Sequence, residues 1–334
     1  MFKKFFSGFF FSILSVVLIC VLFVSIMLNV VLLGSSAMQN ASTLDNEKHF
    51  SEEKLEGNNK DLKILVVSVE GMISDSGPDS YIVKSKYIEK VFEQAAKDKN
   101  IRGVILNINS PGGTITATDK MYNTIAKYKS KMNVPVIAYF DSVAASGGYY
   151  MAMACDKIIS HATTITGSIG VIMSFYQAQE LLENKLGIES VVIKSGEHKD
   201  IGSSSRKTTD SEREILNSIL QEMYSTFLEK VRAGRSELKD MPEDELKKIA
   251  DGRIYTGKQA LAHKLVDELG YFSDAQDVIC ELSGLKRKEV SFVEYKKNSN
   301  AFLDLLKAES SVQGSLQNMI RKEFTANFYY LWRP

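Results

Sequence analysis

The stretch VPVIAYFDSVAASGGYY, residues 134–150, joins a strand pattern to a helix pattern through a turn of small residues. Its first half is rich in Val, Ile, Tyr and Phe, which are typical of a buried strand. The small residues on both sides of Ser146 permit a tight strand-to-helix elbow that presents the serine hydroxyl at a helix N-terminus. The pattern therefore indicates either a nucleophilic serine or a serine that only caps the helix.

The alternation of strand and helix patterns continues on both sides of this stretch. Short apolar runs alternate with longer amphipathic runs, which predicts βαβ units and a buried, mainly parallel sheet. Because no internal repeat appears, we expect one folded domain over residues 61–296. The predicted strands are 65–69, 104–108, 134–140, 157–160, 191–194 and 290–294, and the predicted helices are 87–96, 119–128, 147–155, 177–185, 211–233, 260–264 and 275–282.

The N-terminal segment has the pattern of a membrane anchor. No charged side chain occurs between Lys4 and Asp45, and residues 9–33 are almost wholly apolar. Since ~20 apolar residues span a bilayer, we predict a transmembrane helix at 9–33. Two lysines precede this helix and acidic residues follow it, so the positive-inside rule places residues 1–8 in the cytoplasm and the folded domain outside the cell membrane.

A cleaved signal peptide, with Ser35 and Ala37 at the cleavage site, is the alternative to an anchor. The apolar run is longer than the ~7 to 15 residues of a usual signal core, which favours the anchor. Residues 34–60 are polar and lack hydrophobic periodicity, so we expect a solvated tether. The tail at 297–334 ends in an aromatic run, which indicates a packing contact, a membrane-interface contact or a segment that reaches a binding groove.

The composition excludes several partners and cofactors. The 334 residues carry 41 Lys and Arg and 41 Asp and Glu side chains, and no basic block marks a nucleic-acid surface. No Cys or His pair has ligand spacing, so we expect no metal, and nothing indicates an organic cofactor. Cys20 falls in the predicted anchor. Cys155 and Cys280 either form a disulfide or are small buried side chains, and we favour the second reading.

Further glycine-marked loops follow predicted strands, where open α/β sheets usually place their sites. In NSPGG, residues 109–113, the glycines permit a sharp turn with accessible amide groups that can stabilise an oxyanion, although an ordinary turn has the same sequence. TGSIG at 166–170 and KSGEHKDIG at 194–202 each read alone as a polar turn.

In this order and with this spacing, the loops resemble those of the signal peptide peptidase A family, membrane serine peptidases of peptidase family S49. The resemblance covers residues 62–295 and includes GRIYTG at 252–257 and LVDELG at 265–270. It implies an α/β chain of crotonase/ClpP-like fold, with a parallel β-sheet and flanking helices, preceded by one N-terminal transmembrane helix.

The resemblance also implies roles for particular residues. Ser146 is the expected nucleophile, Lys199 the general base, the N–H groups of Gly113 and Gly147 the oxyanion hole, and the Ser168 hydroxyl the group that orients the lysine. The expected assembly is a homo-oligomeric ring in which neighbouring chains complete each site. The expected substrates are released signal peptides and other membrane-proximal peptides.

A serine hydroxyl needs a base within hydrogen-bond reach. For Lys199 to act at neutral pH, its pKa must fall by ~3 units, or ~4 kcal/mol, as burial in an apolar groove would achieve. Lys194, His198 and His161 are competing candidates, but no carboxylate at an evident third position orients His198. Family members commonly carry an aromatic residue before the lysine and a proline after it, whereas this chain has His198 and a serine run at 203–205.

Three other functions compete with this interpretation. A crotonase-type acyl-CoA enzyme would use a similar oxyanion hole, but CoA is cytoplasmic and the predicted domain is not. A non-catalytic membrane scaffold would keep the fold, but it would not need both Ser146 and Lys199. An NfeD-like membrane Clp protease, which acts on membrane-scaffold proteins, is a further alternative within the same reaction class.

Overall fold

The computed structural model describes residues 50–77, 81–298 and 327–331, together with Ser25. The chain divides into two compact units, 1–51 and 52–334, and almost all described residues belong to the second. The predicted anchor at 9–33 lies outside the described residues except for Ser25. Among the residues that are described, no helix has the length and apolarity needed to cross a membrane.

The described chain alternates strands and helices, as the periodicity predicts. The strands are β1 (Phe50–Glu56), β2 (Lys63–Glu70), β3 (Met72–Ile73), β4 (Ile82–Val83), β5 (Ile101–Ser110), β6 (Gly112–Thr114), β7 (Val136–Ala145), β8 (Lys157–Ser160), β9 (Ile165–Gly167), β10 (Ile172–Ser174), β11 (Ile254–Thr256), β12 (Glu268–Leu269), β13 (Ser291–Lys297) and β14 (Asn327–Leu331). The helices are α1 (Ser85–Ala95), α2 (Ile115–Met132), α3 (Gly147–Ala152), α4 (Asp210–Gly234), α5 (Glu243–Ile249), α6 (Gly257–Ala262) and α7 (Phe272–Leu282).

The larger sheet has the order β1-β13-β2-β5-β7-β8-β12, with β9 added beside the end of β7 and β11 beside β9. The pairs from β13 to β12, and the pair of β7 with β9, are parallel, while β11 is antiparallel to β9. The prediction of a mixed α/β fold with a largely parallel sheet and flanking helices is therefore confirmed. Because parallel strands share a direction, the carboxyl ends of β5 and β7 reach the same edge.

The smaller sheet covers this carboxyl edge and has the order β10-β14-β6-β3-β4. Its strand β6 follows directly from β5, and β3 runs parallel to both β6 and β4. The strand β14, from the tail, is antiparallel to both of its neighbours. The tail therefore contributes a strand to the part of the fold that lies nearest the ends of β5 and β7.

Apolar side chains on both faces of the larger sheet form the core. On one face α7 packs Ile279 and Cys280 against the strand residues Ile64, Ile105 and Phe292. Each fully buried aliphatic side chain of this kind stabilises the fold by roughly 1.5 to 3 kcal/mol. The cysteines outside the anchor are buried and free, as predicted. Burial raises the pKa of the Cys280 thiol to about 11, which makes it unreactive at neutral pH.

Two predictions about individual segments were wrong, and a third was correct in part. Residues 50–60 were assigned to the tether, but residues 50–56 form the edge strand β1, whose exposed charged side chains concealed it. Residues 191–194 were assigned to a strand, but they pair with no strand in the described chain, and Ile193 is 97% exposed. The helix predicted at 177–185 is present over residues 179–186, although its central part, Leu181–Lys185, is a π-helix. Strand propensity alone does not form a strand where no neighbour supplies hydrogen bonds.

Candidate active site

Ser146 lies at a sharp turn between the last residue of β7 and the first residue of α3. Its backbone dihedral angles are φ 52° and ψ −113°, a conformation that costs a non-glycine residue roughly 1 to 3 kcal/mol. Two hydrogen bonds hold the turn: the Ser146 N–H donates to Gly167 O at 2.8 Å, and the Tyr150 N–H donates to Ser146 O at 2.8 Å. The larger sheet and α3 together impose the strained geometry.

The Ser146 side chain is buried, at 1% exposure, and its Oγ has no hydrogen-bond partner. No side-chain bond caps α3 either, so Ser146 does not have the role of a capping serine. Leaving a buried hydroxyl unpaired costs roughly 1 to 3 kcal/mol. Such an unpaired group on a strained turn is characteristic of a functional position, because nothing in the packing of the fold requires it.

Two positions near Ser146 require glycine, because backbone segments approach each other closely there. A Cβ atom on Gly148 would lie 2.8 Å from Ser110 O, so only glycine lets α3 meet the end of β5. A Cβ atom on Gly113 would lie 1.7 Å from Ile73 O, so the approach of β6 to β3 also requires glycine. Helix α3 contacts β6, which brings the Gly113 loop and the Gly147 N–H to the same region. The Gly147 N–H has no partner within the helix, because it belongs to the first turn.

The loop that carries Ser168 lies alongside Ser146. Strand β9 pairs with β7 so that Gly167 is opposite Ala145. Ser168 is 8% exposed, has φ 50°, and donates its N–H to Arg253 O at 2.8 Å. The segment around Arg253 therefore holds the Ser168 loop through this backbone hydrogen bond. The contact gives a structural reason why TGSIG at 166–170 and GRIYTG at 252–257 occur together in this sequence. The predicted Ser146, Ser168, Gly113 and Gly147 all belong to this region.

Lys199 belongs to a different kind of structure. It is exposed, in a succession of turns between β10 and α4, and no hydrogen bond joins it to Ser146 Oγ. Of the competing bases, Lys194 donates to Asp200 Oδ1 at 2.7 Å, and the Nδ1 atom of His161 lies 2.9 Å from Thr163 Oγ1. These contacts engage the Lys194 amine and one ring nitrogen of His161. The Nδ1 atom of His198 is buried without a partner.

An ion-pair network that the sequence did not predict adjoins Lys199. Arg206 donates to Asp200 through Nε, at 2.8 Å from Oδ2, and through Nη2, at 2.7 Å from Oδ1. It also donates through Nη1 to Glu212 Oε2 at 2.9 Å. The Arg206 guanidinium holds the pKa of Asp200 well below its usual range and lowers that of Glu212 to about 2. The sequence signal that could have revealed this network is the alternation of positive and negative side chains at constant spacing, at Lys194, Asp200, Arg206 and Glu212.

The tail strand β14 lies directly beside the elbow. Its register pairs Tyr330 with Gly113 of β6, and Tyr329 with Ile172 of β10. Strand β14 also contacts α3, the helix that begins next to Ser146. Strand β14 therefore runs antiparallel to β6, the strand that carries Gly113. It lies between β6 and β10, whose facing edges would otherwise be unpaired.

A buried serine with an unpartnered hydroxyl at a strand-to-helix elbow, beside glycine loops at the carboxyl edge of a parallel sheet, is the arrangement of a serine hydrolase. The sequence matches the family model for peptidase family S49 over residues 128–286. It is 36% identical over 257 residues to a putative signal peptide peptidase SppA of Enterococcus faecium, across 76% of this chain and 72% of that protein. The chain belongs to peptidase family S49.

Two further relatives agree with this assignment. The putative protease slr0021 of Synechocystis is 34% identical over 257 residues, which cover 77% of this chain and 87% of that protein. The chloroplastic serine protease SPPA of Arabidopsis thaliana is 34% identical over 251 residues, which cover 73% of this chain and 36% of that protein. The chain is accordingly a serine peptidase.

Proposed function

We propose that this chain is a Ser–Lys endopeptidase that degrades signal peptides and other membrane-proximal peptides, with Ser146 as nucleophile and Lys199 as general base. The observation that carries the proposal is the buried, unpartnered Ser146 hydroxyl on a strained turn at the edge of the sheet. The name of the Enterococcus relative, a putative signal peptide peptidase, supports the substrate class.

In the proposed reaction, Ser146 Oγ attacks the peptide carbonyl while Lys199 accepts the hydroxyl proton. The N–H groups of Gly113 and Gly147 stabilise the oxyanion that forms. Lys199 then returns the proton to the leaving amine, and water hydrolyses the acyl-enzyme by the same proton transfers in reverse. The Ser168 hydroxyl orients the lysine amine. The residues themselves supply every group that this acyl transfer needs.

Lys199 needs a drier environment than a single chain provides. It is exposed here, and the segment before it also exposes large apolar side chains: Val191 at 77% and Ile193 at 97%. We propose that a neighbouring copy in a homo-oligomeric ring covers this apolar segment. The same contact would remove water from the Lys199 amine, favour its uncharged form, and bring it to a serine nucleophile.

The position of β14 supports an extended mode of peptide binding. A peptide that replaces β14 would pair with β6 on one side and β10 on the other, by strand addition. Main-chain hydrogen bonds would then supply much of the affinity, which suits substrates of varied sequence. We propose that β14 occupies the substrate groove and competes with short peptides.

We also propose a membrane location for the chain and a crotonase/ClpP-like fold for its peptidase domain. The sequence pattern at 9–33 supports a single-pass anchor in the cell membrane, with a cytoplasmic N-terminus and an extracytoplasmic peptidase domain. The largely parallel sheet, with flanking helices and a second small sheet at its carboxyl edge, supports the crotonase/ClpP-like assignment.

Turnover of a fluorogenic apolar peptide by paired serine variants tests the proposal. Ser146→Ala should lower kcat by about 10³-fold or more, because no other group can form the acyl-enzyme. Ser142→Ala is the matched control, since Ser142 is exposed on the same strand, and it should keep the wild-type rate. A wild-type rate in Ser146→Ala would disprove the nucleophile. Thioester hydrolysis without peptide cleavage would favour the acyl-CoA alternative.

A further inference from the structure

The backbone hydrogen bonds within the segment around Lys199 close only short turns. The Lys199 N–H donates to Gly196 O at 3.2 Å, the Ile201 N–H to His198 O at 3.1 Å, and the Ser203 N–H to Asp200 O at 3.0 Å. None of these residues belongs to a sheet or a long helix. A general base must be held within about 0.5 Å of its productive position. Turns of this kind do not provide that precision without outside support.

The support reaches Lys199 through the residue that follows it. Asp200 receives a bidentate contact from Arg206, and Arg206 Nη2 also lies 3.3 Å from Asp200 O. Lys194 binds the same carboxylate and also donates to Glu197 O at 2.7 Å, which ties the start of the turn to its end. The planar guanidinium fixes both the distance and the angle of the carboxylate, which the single point charge of a lysine does not.

The opposite side of Arg206 is fixed to the folded core. Both guanidinium Nη atoms bind the Glu212 carboxylate, and the Glu212 side chain is 2% exposed. Glu212 also forms a capping box with Thr209 at the start of α4. Further along, α4 buries Phe227 and Val231. A continuous path of contacts therefore runs from the core through Glu212, Arg206 and Asp200 to Lys199.

The network also determines what Lys199 can pair with. A free carboxylate next to a lysine would bind the ammonium form and oppose its use as a base. Both oxygens of Asp200 are occupied by Arg206 and Lys194, so the nearest carboxylate in sequence is already neutralised. Arg206 therefore has two effects on the lysine: it fixes the backbone that carries it, and it keeps Asp200 away from the amine.

We infer that Arg206 is a positioning residue for the general base: its bridge between Asp200 and Glu212 sets the place of Lys199 relative to the nucleophile. The inference rests on the proposed role of Lys199. Arg206 contacts neither substrate nor reacting atoms in this scheme, so its removal should affect the chemical step and leave peptide binding intact.

The first test compares Arg206→Gln with Lys207→Gln in the full-length protein. Each removes one positive charge, but Lys207 is exposed and lies 3.7 Å from an exposed Glu180. Arg206→Gln should lower kcat at least tenfold with KM unchanged, and Lys207→Gln should stay within twofold of wild type for both constants. Equal kcat values for the two variants, or a loss confined to KM, would overturn the inference.

A double-mutant cycle separates positioning from a general structural role. The rate of Ser146 labelling by a fluorophosphonate is measured in wild type, Arg206→Gln, Lys199→Ala and the double variant. If Arg206 acts through Lys199, Arg206→Gln should slow labelling at least tenfold in the wild-type background and less than twofold in the Lys199→Ala background. Equal slowing in both backgrounds would overturn the inference and leave the proposed base intact. Wild-type labelling in Lys199→Ala would overturn both.

A second variant protects the test from a failure to fold. Asp200→Asn keeps the shape of the side chain and one acceptor oxygen but loses the charged bidentate contact. It should show the same fall in kcat, the same KM and the same dependence on Lys199, with a thermal melting temperature near that of Lys207→Gln. Wild-type kcat in folded Asp200→Asn would contradict the inference.

Discussion

The Ser146 turn and the Lys199 segment differ in how each is held in the fold. Ser146 lies on a turn that two parallel strands, a helix and a second sheet fix from several sides, and its hydroxyl is buried. Lys199 lies in exposed turns whose main support is a chain of ion pairs. A single chain therefore fixes the Ser146 turn from several sides, whereas the position of Lys199 depends on charged contacts and, in our proposal, on a neighbouring subunit.

The largest expected effect follows from removal of the Lys199 amine. Its test also asks whether the two halves of the site come from different chains. Lys199→Ala alone should lower kcat by roughly 10² to 10⁴-fold, the usual contribution of a general base. Mixing it with Ser146→Ala under conditions of subunit exchange should restore activity, because some sites would then combine an intact serine with an intact lysine. Activity of the mixture is measured against each variant alone.

Labelled subunits provide the control for this mixture. If fluorescence energy transfer shows that the two variants exchange and activity is still absent, Ser146 and Lys199 come from the same chain. That result would contradict the proposal that neighbouring copies complete each site.

The next largest effect is expected from alanine substitution of one glycine near Ser146, compared with one glycine near Lys199. Gly148→Ala places a Cβ atom 2.8 Å from Ser110 O and should push α3 away from β5, with a loss of stability of about 1 to 3 kcal/mol and a marked fall in kcat. Gly196→Ala meets no atom within 4 Å and should leave both quantities near wild type. Chemical denaturation and peptide turnover check the pair. Similar losses in both variants would contradict the contrast between a packed and an open region.

A smaller effect is expected from the tail. Deletion of residues 327–334 removes β14 from its place between β6 and β10, so short peptides should bind better and KM should fall several-fold with little change in kcat. Deletion of residues 332–334 keeps β14 and serves as the control. An unchanged KM after the longer deletion would show that β14 does not compete with substrate.

The smallest effect is on the pH dependence of stability. Arg206 lowers the pKa of Glu212 from 4.5 to about 2, so the folded state gains stability from this carboxylate above pH 4.5 and loses it as the pH falls from 4.5 towards 2. In Glu212→Gln, the free energy of unfolding should be lower at neutral pH, and its decline over that acid range should be shallower. Urea titrations at several pH values measure both slopes. An identical decline in wild type and variant would contradict the strength of the Arg206 contact.

The sequence predicted the parts of the fold that depend on local pattern. The buried strands around residues 104–108 and 134–140 and the helix after Ser146 follow from apolar periodicity and small residues, which are properties of neighbouring positions. The elbow was predictable because Ser146 and its glycines are contiguous. The exclusion of a helix-cap role for Ser146 required the structure, since it depends on whether any group contacts the hydroxyl.

The parts that escaped prediction depend on distant contacts. The strand β14 pairs with β6 across more than half of the chain, and β1 has few apolar side chains because it lies at a sheet edge. The contact of Arg206 with Asp200 and Glu212 is local in sequence, but regular charge spacing does not show which partner each charge selects. Residues 191–194 show the reverse case, a strand pattern without a partner strand in the described chain.

The most direct measurement of the central claim is peptide mapping by mass spectrometry after inactivation with a fluorophosphonate. We expect one stoichiometric adduct, on the peptide that contains Ser146, and far less of this adduct in Lys199→Ala over the same reaction time. Full inactivation with Ser146 unmodified, or with the adduct on another serine, would contradict it.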